Sequence, residues 1–337
     1  MNEIVPRLRS ALEARAALLE SLAASDTDCY RLFHGTVEGL PGVTVDRYGD
    51  VLFVQTFHTP LAPETFEAIR GFYAEHHAVC SDAVAIDRSG GHSRVNDVVS
   101  VPEDAALRDR VIRELGVSYR FRGQHRGHDP WLFLDLRAAR RYVQANSNGR
   151  SVLNLFAYTC GVGVCAARAG ASRVLNVDFA TSSLAVGESN AALNDVSATS
   201  AFLASDFFPA VRQLAGLGLP RDRRRGPPPP TPIVPPESFD LVFLDPPRYA
   251  KSAFGVVDLV NDYGSVAKPA LLATREGGTL VCCNNVARVP RDAWASSLEG
   301  SVRRNGRTLR GIEFITPDAD FPSPDGNPPL KLAVLHV

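Results

Sequence analysis

Two groups of residues in this sequence have the types and spacing to do chemistry. The first is the small-residue turn Thr159-Cys160-Gly161-Val162-Gly163, which follows the apolar run Val152, Leu153, Leu155 and Phe156. Beyond it come an alanine-rich stretch, Gly170 and a second apolar run closing on Asp178. Glycine has no Cβ, so such a turn can lay its backbone close to a ligand at the amino end of the following helix. A carboxylate at the tip of the second strand, here Asp178, is placed to accept hydrogen bonds from two ribose hydroxyls. The pattern describes a nucleoside-shaped site. It is not the dinucleotide fingerprint, because Ala166 stands where the third glycine would fall. Taken alone, the turn is weak evidence, since about one in three such loops is plain tight packing or an NAD site.

The second group is Asp245-Pro246-Pro247-Arg248-Tyr249, directly after the apolar run Phe239 to Leu244. In a parallel sheet, ligands bind outside the carboxyl ends of the strands. Successive prolines hold the backbone extended and remove two N–H donors, leaving carbonyls and the Asp245 carboxylate as acceptors. That rim suits a planar base that offers hydrogens and stacks on Tyr249. A strand-ending turn is the plain alternative. A third, looser group is basic: Arg120 and Arg122, then Gln124, His125, Arg126 and His128, and further on Arg137, Arg140 and Arg141. A solvated hairpin accounts for such charge as well as a nucleic-acid-facing edge does. As phosphate contacts, these six arginines would make activity fall with salt.

The elements that must position these groups alternate. Residues 7 to 23 space their leucines as one amphipathic helix. CYRLF, VTVDRY and VLFVQTF read as a small antiparallel sheet, Ala62 to His76 as a helix, and Ala83 to Ile86 as a strand. Arg88 to Asp97 reads as a loop and Val117 to Arg122 as a strand. From Ser151 onward helix and strand alternate: a helix over Ser182 to Asn194, a strand over Ser200 to Leu203, a helix over Pro209 to Leu217. After the strand ending at Leu244 come a helical stretch to about Thr274, a strand Thr279 to Cys283, and a final strand Lys331 to Val337. Such alternation predicts βαβ units and a parallel sheet. Residues 221–238, with four arginines and seven prolines, cannot pack a core and predict an exposed, extended insertion.

At 337 residues, 45% hydrophobic and 22% charged, the chain should form about two domains of ordinary globular composition. No apolar run is long enough to span a membrane, and the amino terminus is charged where a signal peptide needs an apolar centre. A cytoplasmic protein without membrane partners is the expectation. The six cysteines form no CxxC pair and none has metal-ligand spacing with the histidines, so reduced thiols and no metal are expected. A net charge of -1 argues against a globally basic nucleic-acid binder and still permits a basic patch.

Taken together, CYRLFHGTVEGLPGVTVDRYGDVLFVQ, WLFLDLRAARRYV, VLNLFAYTCGVGV, VLNVDFATSSLAVGESNAALN and FDLVFLDPPRYAKS resemble the class I S-adenosylmethionine (SAM) methyltransferases of large-subunit ribosomal RNA, the group with the bacterial cytosine carbon-5 and guanine N7 enzymes. The resemblance implies an α/β fold: a Rossmann-like class I methyltransferase domain with a mainly parallel seven-stranded sheet, preceded by a small α+β RNA-binding domain. The implied division is a helix at 1–27, the small domain at 28–130 and the methyltransferase domain at 131–337. SAM would be the cofactor and ribosomal RNA the partner, with a homodimer left open. The stretch holding Asn154, Phe156, Tyr158, Thr159, Gly161 and Gly163 would surround the methionine part of SAM. Asp178 with Phe179 would serve the ribose, Asp206 with Phe207 the adenine, and Asp245, Pro246, Pro247 and Tyr249 the target base, with Asp245 also touching the cofactor. Many relatives carry an amino-terminal PUA domain, which this chain is expected to lack.

The strand end Cys282-Cys283-Asn284-Asn285 bears on the target base. Methylating cytosine carbon-5 needs a thiolate to add to the ring, and the resembled cytosine enzymes end this strand with Ser-Cys-Ser, their cysteine falling on Asn284. The guanine N7 branch ends it with Ser-Asn-Asn, closer to Cys283-Asn284-Asn285. A one-residue slip would make Cys283 the nucleophile, and both cysteines equally suit a buried core strand. Methylation of a protein or exocyclic amine, and an inactive RNA-binding assembly factor, are the competing functions.

Overall fold

The computed structural model describes residues 3–77, 80–90, 95–127, 129–219, 229–323 and 325–337. The chain divides into two units, Met1–Arg137 with Asp318–Pro324, and Ala138–Pro317 with Asp325–Val337. His128, part of the loop at 88–97 and residues 221–228 of the insertion lie outside the described residues. Residues 229–238 carry no helix or strand and are mostly exposed.

The first unit opens with α1 (Ile4–Ala14) and α2 (Ala16–Ala24). One helix was expected over 7–23. It is broken at Arg15, whose side chain is buried, bonded back to the Ala11 carbonyl and ion-paired with Glu38. Then follow β1 (Cys29–His34), β2 (Val43–Tyr48), β3 (Val51–Thr56), α3 (Pro63–His76), β4 (Asp82–Asp87) and β5 (Asp97–Val101), with the sheet in order β1-β2-β3-β4-β5. Pro63 starts α3 with Glu64 in its first turn and His76 in its last, a charge order that suits the helix dipole. α3 carries the chain between β3 and β4, which pair in parallel; the other pairs are antiparallel. β3 is buried along its whole length because both faces are covered. Leu52 and Val54 join Ile4, Leu8, Ile69 and Phe72 of α1 and α3 in one core. Phe53 meets Tyr48 and Phe121 edge-on, and those two rings stack at 4.2 Å. Phe121 comes from a separate hairpin, β6 (Arg110–Glu114) and β7 (Val117–Phe121).

The second unit holds α4 (Arg137–Asn146, its first residue counted with the first unit), β8 (Ser151–Leu155), α5 (Gly161–Arg168), β9 (Arg173–Asp178), α6 (Thr181–Leu193), β10 (Ser200–Ala204) and α7 (Phe207–Leu214). It continues with β11 (Phe239–Leu244), β12 (Tyr249–Lys251), β13 (Val256–Asp258), α8 (Gly264–Ala273), β14 (Thr274–Asn284), α9 (Arg291–Arg304), β15 (Gly311–Ile315) and β16 (Lys331–His336). Seven strands form one sheet in the order β10-β9-β8-β11-β14-β16-β15. The first five are parallel, and β16 runs antiparallel to β14 and β15. This is the α/β, mainly parallel seven-stranded architecture expected from the sequence. The order reverses between β8 and β11, which opens a crevice at their carboxyl ends.

After Tyr249 the sequence predicts a helical stretch to about Thr274, whereas its first part is the hairpin of β12 and β13, and α8 starts only at Gly264. Between Asn285 and the final strand, where the sequence pattern reads as loops, the chain forms α9 and β15. α9 buries Trp294, Leu298 and Val302, one residue per turn, too narrow a stripe to stand out.

Candidate active site

The loop between β8 and α5 is built from strained backbone. Phe156, Tyr158 and Cys160 have φ of 57°, 50° and 62°, the left-handed region that costs a residue with a Cβ of order 1–3 kcal/mol. Such strain persists only where surroundings over-determine it, and they do. Ala157 N donates to Val177 O (2.9 Å), Tyr158 N to Asp178 Oδ2 (2.8 Å), and Cys160 N to Ala157 O (2.7 Å). Below the loop, Asn154 Nδ2 donates to Asn176 Oδ1 (2.9 Å), and Asn176 Nδ2 to Ala201 O (3.3 Å), tying three strands together. A Cβ on Gly163 would fall on Asn176 Oδ1. Gly163 is therefore a close-packing glycine, which lets α5 sit on the sheet and aims its amino end at the crevice. Asn154 and Thr159 are both buried. Asn154 is spent on the strand ladder, not on the crevice, a correction to its expected cofactor contact.

Asp178 ends β9 almost buried, with Oδ1 accepting from Ala180 N (2.9 Å) and Oδ2 from Tyr158 N. Burial pushes its pKa above the usual carboxylate value, while hydrogen bonds from the Ala180, Tyr158 and Phe179 backbone pull the other way. An ionised carboxyl has about four lone-pair sites, so beyond these backbone donors it can still accept a hydroxyl. Asp206 precedes α7 and caps it, Oδ1 accepting from Phe208 N (2.9 Å). Phe207 stacks on Phe156 with ring centroids 4.5 Å apart.

These groups line one cavity of about 210 Å3, which Phe156, Asp178, Phe179, Asp206, Phe207 and Pro247 share with residues of the β12–β13 hairpin. Phe179 is 76% exposed at its edge. Phe156 and Asp245 follow Leu155 and Leu244, which face each other across β8 and β11. The glycine turn and the Asp-Pro-Pro segment thus lie at the ends of adjacent strands. Pro246 is buried and Pro247 exposed, Asp245 is half-buried, and Tyr249 is exposed on β12 beside the cavity lining. Sequence reasoning missed the hairpin wall, in particular Lys251, Ser252 and Gly255. Its signal was Tyr-Ala-Lys and Val-Val-Asp around a short loop ending in glycine. Gly255 is required there because a Cβ would meet the Phe208 ring at 2.7 Å.

The end of β14 is closed. Cys282 and Cys283 are fully buried. Burial pushes the Cys282 thiol up to about 12. Tyr263 Oη donates to Cys283 O (2.9 Å), and Asn284 Oδ1 accepts from Val286 N (3.0 Å). Cys283 stands one rung past the Leu244 and Cys282 pair, beside Asp245.

Of the six arginines singled out, two are corrected. Arg137 is wholly buried, its guanidinium bonded to Asp318, Asp320 and the Cys29 carbonyl, with Glu114 at 3.5 Å. Burial works against its charge, and Asp320 and Glu114 outweigh that and raise its pKa. Arg140 is also buried. Neither side chain faces solvent, so neither is placed for a phosphate. Arg122 is held by Asp109 through two bonds of 2.8 Å and Arg120 is half-buried, while Arg126 and Arg141 are exposed.

Among the described residues no helix is long and apolar enough to cross a membrane. The profile of S-adenosylmethionine-dependent methyltransferases matches residues 30–336. A Deinococcus radiodurans protein named ribosomal RNA large subunit methyltransferase is 33% identical over 91% of this chain and 72% of its own length. The ribosomal RNA large subunit methyltransferase I of Aeromonas hydrophila is 26% identical over 96% of this chain and 76% of its own. A Streptococcus mutans structure described as a SAM-dependent methyltransferase superposes with a TM-score of 0.78 at 22% identity, covering 99% of this chain and 80% of that one, which shows a common fold. An enzyme that uses SAM accounts for the strained loop, the buried Asp178 carboxylate and the Asp-Pro-Pro lip at once, and the chain belongs to the S-adenosylmethionine-dependent methyltransferase family, among the large-subunit ribosomal RNA methyltransferases.

Proposed function

We propose that this chain transfers the methyl group of SAM to a base of large-subunit ribosomal RNA, with guanine N7 as the acceptor. The observation that carries the reading is the single cavity that brings Asp178, Phe207 and Pro247 together. The residues fit the cofactor. Asp178 keeps acceptor capacity for a ribose hydroxyl, Asp206 can accept from the adenine amino group, and Phe179 and Phe207 offer apolar surface to its ring. When bound, SAM supplies a methyl group on a positively charged sulfur. The Asp245 carboxylate and the carbonyls of the proline pair accept hydrogens from the target base, and Tyr249 offers a face for stacking once the base leaves its helix. Ring N7 carries a lone pair and loses no proton on methylation, so orientation in line with the methyl is what the site has to provide. The exposed Arg126 and Arg141 serve phosphates, and the ribosomal substrate is supported by the names of the relatives.

A second reading, cytosine carbon-5, has one observation in its favour, the place of Cys283 beside Asp245. Nucleoside mass spectrometry of deproteinised large-subunit rRNA after incubation with enzyme and SAM separates them. The proposal expects 7-methylguanosine. 5-Methylcytidine would favour the second reading, and no methylated nucleoside would remove both.

A further inference from the structure

The first unit contains a second cavity, of about 220 Å3, that the transfer reaction does not use. It lies against β3, β4 and β5, and its floor is apolar, with Phe53 and Ile86 nearly buried beneath it. Its rim is made by Gly123 to Gly127 with Asp129 and Pro130. That rim is held in shape by His125. Gly127 N donates to Nδ1 (2.9 Å), so Nδ1 must be the acceptor, and Nε2 lies 2.8 Å from the Asp129 carbonyl and must carry the proton. The ring is fixed as one neutral tautomer and leans on Trp131, centroids 5.1 Å apart. The Asp129 carboxylate is matched by Arg88, whose Nη2 lies 2.7 Å away. Two polar side chains of the rim are left over: Gln124 and Arg126 make no side-chain hydrogen bond or ion pair among the described residues.

We infer that this cavity takes one unstacked nucleobase of the RNA strand, with the Gln124 amide reading its edge and Arg126 holding an adjacent phosphate. An amide presents a donor and an acceptor side by side, the pattern that pairs with a base edge, and RNA is read mostly through bases splayed out of single-stranded segments. The volume falls below the ~300–1,000 Å3 of sites for drug-sized ligands, which suits one flat heterocycle on an apolar floor. With Asp129 matched by Arg88, the uncompensated charge among the described rim residues is that of Arg126, the sign that attracts a phosphate. The inference rests on the RNA substrate proposed above and adds a subsite in the first unit.

Steady-state methylation of deproteinised large-subunit rRNA tests it, using Gln124→Ala, Arg126→Ala and the double variant. The double variant should raise the KM for rRNA at least fivefold, leaving kcat and the affinity for SAM at wild-type values. Arg126→Ala alone should lower the slope of log affinity against log salt by about one. Gln124→Ala alone should raise KM with the salt slope unchanged, the mark of a base contact. If wild-type enzyme methylates rRNA and the double variant keeps its KM, the subsite is overturned and the function stands. If wild-type enzyme neither binds nor methylates rRNA, both fall together.

Discussion

The carboxyl ends of β8 and β14 belong to one sheet, with β11 between them, and they are finished in opposite ways. At the end of β8 three residues take left-handed backbone, a buried carboxylate is held with acceptor capacity to spare, and the neighbouring strand ends contribute to an open cavity. At the end of β14 the thiols are sealed, the Tyr263 hydroxyl is spent on a carbonyl, and Lys331 is buried with its ammonium on three carbonyls, of Val286, Pro328 and Pro329. The Lys331 pKa is lowered by that burial, with Asp325 opposing. Strain and spare acceptor capacity mark the end of β8, whereas at the end of β14 the Tyr263 hydroxyl and the Lys331 ammonium are engaged and the Asn284 Nδ2 is buried without a hydrogen-bond partner among the described residues. A nucleophilic cysteine would need a thiolate within reach of a base. β14 offers buried thiols instead, which is why a ring nitrogen is the acceptor favoured above.

This contrast can be broken by substitution. The largest effect belongs to Asp245→Ala. Methyl transfer to rRNA should fall at least a thousandfold while SAM still binds, and retention of wild-type turnover would show that the lip of β11 is not the reacting edge. Next comes Gly163→Ala, whose new Cβ must displace Asn176. Overpacking of this kind costs about 1–3 kcal/mol, to be read as a lowered midpoint in thermal or urea unfolding. Gly163→Ala combined with Asn176→Ala should recover part of the loss, and no recovery would mean that the clash is not with Asn176.

A smaller effect is expected from pH. Burial raises the Asp178 pKa, so for this group the folded state is favoured below the unfolded value and pays for ionisation as pH rises through the folded one. Cofactor affinity runs the other way, because ribose hydroxyls need the ionised acceptor. It should be full above the folded pKa and weaken on acidification, beginning at a higher pH than an exposed aspartate would give. A dissociation constant that stays flat through the acid range would contradict this. The smallest effect is that of Cys283→Ser, expected to leave kcat within about twofold of wild type. A collapse of turnover with SAM binding intact would restore the covalent route to cytosine.

Much of the second unit was legible in the sequence because its signals are chemical as well as periodic. The glycine turn, Asp178 and Asp245-Pro246-Pro247 each follow an apolar run at the end of a strand, and in a parallel sheet those ends converge. What was not legible depends on three-dimensional neighbours. Arg137 looks like a surface cation in sequence, and only Asp318 and Asp320, far along the chain, make it a buried one. Asn154 sits within a glycine-turn motif, and its partner Asn176 on the next strand turns it inward. The β12–β13 hairpin was hidden because its strands are three residues each and one side of each is exposed. β15, with its mixed burial at the sheet edge, carried too little alternation to be seen.

In the function proposed above, SAM is held in the cavity at the end of β8. Isothermal titration of SAM into wild-type protein and into Asp178→Asn, which keeps the side-chain shape and removes the charge, tests that most directly. One site per chain is predicted, with affinity reduced about tenfold to a hundredfold in the variant, in line with ~1.5–3 kcal/mol for a hydrogen bond to a charged group. Equal affinity in the two proteins, with both folded, would place the cofactor elsewhere and contradict the account.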